Sequence, residues 1–248
     1  MSRQKLNMDL QTLDGFTMLI HGDRASGKTA LAGDMLVTEL KAGGEVRFIN
    51  VKGEDGTLTL RGMGLGDRGE TVETYEDFNS CLLDYTKLGL AGLAVDSLAA
   101  LNQWVAYKVC GAERMPIIDR NNPKNEWGDL HREMTNLAMR MRRTAKYVIA
   151  TCPSDKSTNQ LTGKIYITPD LPGREAAGSA GWFDFVGYLT ANPVGPGRVS
   201  RVVTFTPNSQ VIVRQRLPMG KALTSDFTLP EGPGAWSLIK GEIIKRAA

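Results

Sequence analysis

The 248-residue chain is 42% hydrophobic and 23% charged, a profile that excludes an intrinsically disordered polymer and supports a sizeable globular core. Its formal net charge of +3 is too small to mark a nucleic-acid binder unless the cations cluster. Cys81, Cys110 and Cys152 are odd in number and form no C-x-x-C pair, which excludes a disulfide framework or zinc knuckle and fits a reducing cytoplasm.

Residues Met1 to Leu10 carry no apolar signal core, and residues 1–14 read as a short lead-in. Phe16 to His21 is then an apolar run of strand length. Leu31, Met35, Leu36 and Leu40 recur at helical spacing until Gly43 and Gly44 stop them. Between strand and helix lies Gly22-Asp23-Arg24-Ala25-Ser26-Gly27-Lys28-Thr29, the phosphate-loop pattern G-x-x-x-x-G-K-[ST]. Backbone N–H groups of such a loop converge on α- and β-phosphates at the positive end of the helix. Lys28 reaches the β- and γ-phosphates, and the Thr29 hydroxyl ligates Mg²⁺. The expected cofactors are therefore ATP and Mg²⁺.

Val46 to Val51 is a second strand, followed by Lys52-Gly53-Glu54-Asp55-Gly56. Glu54, with Asp55 close behind, is the candidate for orienting or deprotonating the attacking water; a polar turn with solvated acids is the alternative. Leu90 to Val95 reads as a fully buried strand that delivers Asp96 at its end, a Walker B pattern. Placed on a neighbouring parallel strand, Asp96 would hold the Mg²⁺ shell opposite Thr29, unless it merely caps the next helix. The apolar stretch Leu88 to Leu101 is broken by Asp96 and Ser97, so no membrane segment is expected.

A helix from around Asp129 closes on Arg140, Arg142, Arg143 and Lys146, a solvated basic face or a DNA-facing one. Tyr147 to Ala150 is a further strand, and Thr151 at its end is placed to sense the γ-phosphate or to satisfy local backbone. His21 and His131 form no metal spacing, and His21 reads as a strand-end residue beside the loop. The late runs Arg201 to Phe205 and Gln210 to Arg214 flank Thr206-Pro207-Asn208-Ser209, which reads as a hairpin turn. Arg214 and Arg216 lie two apart and would share one strand face. After Leu217 the chain is rich in Pro and Gly until Trp236. Residues 218–248 are expected to pack on a core of residues 1–217, with Trp236, Leu238, Ile239, Ile243 and Ile244 as anchors. The expected fold class is α/β, a mainly parallel sheet flanked by helices with an antiparallel addition at its carboxyl end.

The phosphate loop, the string Val95-Asp96-Ser97-Leu98-Ala99-Ala100-Leu101, the helix through Thr135 to Arg143 and the strand at Val148 together resemble the ATPase core of RecA-type recombinases. With Pro172 to Glu175 and Trp182 to Leu189, the chain also resembles compact phage-encoded RecA-like ATPases associated with single-strand annealing and recombination. The resemblance spans roughly Phe16 to Arg216. It departs where RecA proteins place a glutamate directly after the second strand, since Lys52 stands there and Glu54 follows two residues later.

The resemblance implies a ring or filament acting on single-stranded DNA in the host cytoplasm, with a single-strand binding protein among its partners. It also implies that two loops line the DNA path, about Trp104 to Trp127 and Ser154 to Arg174, the second kept mobile by its Gly and Pro, with Lys108, Arg114, Lys156, Lys164 and Arg174 as phosphate contacts. Their tryptophans and tyrosines would stack on bases or simply belong to the core. Arg214 and Arg216 resemble the basic pair that reaches ATP in the adjacent subunit; a solvated edge strand is the plainer reading. An ATP-driven assembly or regulatory protein that binds no DNA would use the same fold.

Overall fold

A computed structural model describes residues 15–53, 56–110, 126–218 and 220–247, with Arg174 described by its backbone alone. The central strand β1, Phe16–Gly22, is buried along its whole length. It lies parallel to β5, Ala145–Thr158, on one side and to β7, Phe185–Gly195, on the other. Beyond β5 come β4, Leu90–Asp96, then β2, Val46–Val51, and β3, Gly69–Val72, all parallel. Beyond β7 the sheet turns antiparallel through β8, Arg198–Thr204, and β10, Phe227–Leu229. The expected α/β class is observed. Asp96, however, is not on a neighbour of β1, because β5 occupies the slot between β1 and β4.

Strand alternation sorts the core into two layers. Leu19, Ile49, Val95 and Val148 face one side, under α3 (Tyr75–Thr86), α4 (Leu98–Cys110), α5 (Glu126–Thr144) and α6 (Arg174–Trp182). Met18, Ile20, Phe48, Ala94 and Ile149 face the other, under α1 (Lys28–Lys41) and α7 (Ala235–Ala247). The short α2, Thr57–Gly62, packs on α1. Helix α3 starts where the Thr74 hydroxyl and the Asp77 carboxylate cap one another's backbone N–H, at 3.1 Å each.

The carboxyl-terminal helix is bound tightly to α1. Asp34 of α1 accepts from the backbone N–H groups of Gly234, at 3.1 Å, and Trp236, at 2.8 Å, and so caps α7 from another helix. Glu39 accepts from the Trp236 indole and from Lys240, both at 2.7 Å. Trp236, Ile239 and Ile243 are fully buried. Leu238 and Ile244, expected as further anchors, stand 45% and 36% exposed on the outer face.

Three expectations about the loops are corrected. The hairpin is not at Thr206 to Ser209. It joins β7 to β8 through Pro196 and Gly197, whose φ of +68° suits glycine. Asn208 turns the later segment by accepting from the N–H groups of Gln210 and Val211, and Ile212 then bonds Ile167 instead of β8. That leaves β9, Arg214–Gln215, to pair with the start of β7. The stretch after Thr151 is not a loose loop, because β5 continues to Thr158 and forms a hairpin with β6, Ile165–Pro169. The stretch from Trp104 remains helical to Cys110.

Candidate nucleotide site

The site forms where β1 and β4 end on either side of Thr151, midway along β5. From Gly22 the backbone wraps through Asp23 to Gly27, with Ala25 at φ +60° and Gly27 at φ +104°, into α1. Gly22 is required by contact, and Gly27 by conformation as well as contact. A Cβ on Gly22 would lie 2.3 Å from the Leu189 carbonyl oxygen, and one on Gly27 would lie 2.7 Å from Arg201 Nε. No side chain caps α1, so its first N–H groups are directed to whatever sits in the loop. Lys28 Nζ donates to the carbonyls of Gly22, at 3.0 Å, and Asp23, at 2.8 Å, along the loop rim.

The Thr29 hydroxyl donates to Asp96 Oδ2 at 2.7 Å, and the Thr151 hydroxyl donates to Asp96 Oδ1. The inserted strand β5 thus supplies the hydroxyl that orients Asp96, and both residues are buried. Gly56 closes over this group: a Cβ there would stand 2.5 Å from Asp96 Oδ2. Asn50, paired in register with Asp96, is buried with its Oδ1 lacking a hydrogen-bond partner among the described residues, as does the buried Ser26 Oγ in the phosphate loop. A nucleotide phosphate fits this set. Ser26 Oγ can donate to it, the glycine cradle leaves room for it, and the α1 N-terminus with Lys28 offers the positive charge. Thr29 and Asp96 are the oxygen donors that suit Mg²⁺.

Two links join the loop to the β5–β6 hairpin. Lys156 Nζ pairs with Asp23 Oδ2 at 2.6 Å. His21, fully buried, sits between Ser154 Oγ, 2.8 Å from Nδ1, and the Ile212 carbonyl, 2.7 Å from Nε2. A carbonyl only accepts, so Nε2 carries the proton and Nδ1 accepts from the serine. Burial, with a smaller effect from Lys28, lowers the His21 pKa to about 4. His21 is therefore a neutral strut beside the loop. Tyr188 packs on its ring at 5.2 Å between centroids.

The other sequence candidates are dispersed. Lys164 is exposed at the hairpin, near Leu161, which is 97% exposed, and the partly exposed Tyr166. Lys108 lies 3.8 Å above the Tyr75 ring. Glu54, Asp55 and Arg114 fall outside the described residues, as does the Arg174 side chain. Arg214 and Arg216 do reach the same way, donating to the carbonyls of Ala180 and Gly181 at the end of α6. Arg216 also pairs with Asp184 at 3.2 Å. Asp184 bonds Thr17 at the start of β1, so this pair lies about 16 Å of strand from Gly22 at ~3.3 Å per residue. Within one subunit it stands at the opposite end of the strands from the phosphate loop.

Asn50, Gly56 and Arg201 are site residues that the sequence reading did not select. Asn50 carried a usable signal, a polar residue next to the end of a mostly apolar strand. Gly56 and Arg201 carried none, since their places depend on the fold.

No curated protein matches the chain. The sequence model of one family, described as an AAA domain, matches residues 14–217, a span that contains the phosphate loop, Asp96 and Thr151. The chain belongs to this AAA domain family and is a P-loop ATPase.

Proposed function

We propose that the protein is a RecA-like, Mg²⁺-dependent ATPase that binds single-stranded DNA in recombination or strand annealing and is encoded by a phage. The observation that carries this reading is the Lys156–Asp23 pair, which ties the nucleotide loop directly to a hairpin bearing Lys164, Leu161, Ile165 and Tyr166 on its surface. Cations that track phosphates and rings that stack on bases are what a sequence-tolerant single-strand path needs. In this reading Lys28 holds the β- and γ-phosphates, and Ser26 and the loop N–H groups fix the β-phosphate. Mg²⁺, held by Thr29 and Asp96, neutralises phosphate charge when bound. Thr151 keeps Asp96 oriented, and Glu54 orients the attacking water. Arg214 and Arg216, remote from their own loop, act on ATP in the next subunit of a ring or filament.

The test is a titration of fluorescent single-stranded DNA with a nonhydrolysable ATP analogue, with ADP and without nucleotide, each at low and high salt. Binding that depends on nucleotide, weakens steeply with salt and falls in Lys156→Ala and Lys164→Ala supports the proposal. Absence of binding in every state overturns it and favours an ATP-driven regulator that uses the hairpin on protein.

A further inference from the structure

Arg201 lies on β8, two strands from β1, yet its side chain reaches the phosphate loop. Its Nε donates to the Ser26 carbonyl at 3.2 Å, and its Cδ and Nε stand 2.9 and 2.7 Å from the point a Gly27 Cβ would occupy. Among the described residues no carboxylate pairs with it. An arginine placed against a backbone carbonyl, with no described acid beside it, acts on the loop.

The consequence follows from peptide geometry. The Ser26–Gly27 bond is trans, so its C=O and N–H point in opposite directions. A guanidinium that fixes the Ser26 carbonyl on the β8 side turns the Gly27 N–H the other way, into the loop. Gly27 complies because its φ of +104° is open to glycine and because it has no Cβ to displace Arg201.

We propose that Arg201 is a positioning residue for the nucleotide: through the Ser26 carbonyl it holds the Gly27 N–H ready for the β-phosphate. The inference rests on the nucleotide site described above. It places the selectivity of Arg201 at the β-phosphate, because the peptide it orients has no part in binding the base or ribose.

The experiment compares ADP, the ATP analogue and AMP on wild type, Arg201→Met, Arg201→Ala and Arg201→Lys by calorimetry, with AMP measured by competition. Arg201→Met keeps an aliphatic stem over Gly27 and removes only the donor, so it covers the case in which Arg201→Ala does not fold. Loss of a hydrogen bond from a charged donor should weaken ADP and ATP-analogue binding by about 10- to 100-fold. AMP, which has no β-phosphate, should bind as it does to wild type, and Arg201→Lys should recover part of the loss. Equal weakening of AMP and ADP, or ADP binding to folded Arg201→Met within twofold of wild type, overturns the proposal. Wild type that binds none of the three overturns the nucleotide site itself, a distinct result.

Discussion

Replacing His21 with glutamine should remove a defined part of the protein's acid sensitivity. His21 is completely buried and neutral, with a pKa lowered to about 4 from the 6.5 of an exposed ring. Above pH 6.5 the ring is uncharged in both folded and unfolded chains and contributes no pH dependence. As pH falls from 6.5 toward 4 the unfolded chain takes up a proton that the folded chain refuses, and stability declines. Below about 4 both states are protonated and the loss is complete. A gap of about 2.5 pH units at ~1.4 kcal/mol each amounts to about 3 kcal/mol. Glutamine can donate to the Ile212 carbonyl and accept from Ser154 as the ring does, but it has no proton to gain. Urea unfolding of both proteins across this pH range measures the effect. The difference between them should change by about 3 kcal/mol between pH 6.5 and 4. Parallel curves would show that the histidine site is open enough to admit charge, and the argument from burial would fail.

Lys28→Ala should lose ATP turnover by roughly 10²-fold or more, as expected when a preorganised cation is taken from a phosphoryl-transfer site, and steady-state hydrolysis measures it. Trp236→Ala should cost about 3–5 kcal/mol in denaturant unfolding, because a fully buried indole packed on Phe16 and Tyr147 leaves a cavity and vacates one donor to Glu39. Arg216→Ala should change stability by no more than about 1 kcal/mol, since Arg142 and Thr17 still satisfy Asp184 and the arginine is part-exposed. If Arg216 acts in trans, that variant binds ATP, loses most turnover and recovers part of it when mixed with Lys28→Ala. Undiminished turnover confines the arginine to its place at the end of α6.

The strand, loop and helix around Gly22 to Thr29 were legible because each residue there answers a local demand: positive φ, close approach, charge, hydroxyl. The neighbours of β1 were not. A buried apolar run reads as a strand, yet nothing in Tyr147 to Ala150 says which slot of the sheet it fills. Its insertion beside β1 decides that Thr151 meets Asp96. The β5–β6 hairpin was read as a loop because Ser154 to Thr158 is polar on both faces and shows no alternation. The turn at Pro196 and Gly197 followed exposed strand residues and was passed over for Thr206 to Ser209, where Asn208 does turn the chain but delivers it to β6. Arg201 looks like any surface arginine on a strand until the fold brings β8 alongside the loop.

Asp34 and Trp236 are 202 residues apart in the chain, yet one completes the backbone hydrogen bonding of the other's helix. On a ribosome adding ~5–20 residues per second, α1 therefore exists for about 10–40 s before its partner has been made. During that interval its apolar face, with Leu31, Met35 and Leu36, lacks α7, and Asp34 and Glu39 lack the donors that α7 brings. The helix that carries the phosphate loop is thus synthesised well ahead of the segment that encloses it. Closure of so long a loop also raises the contact order of the chain and slows its folding. A nascent chain stalled before Trp236 is thus exposed at the very helix that organises the nucleotide site, and this is where a chaperone would find it.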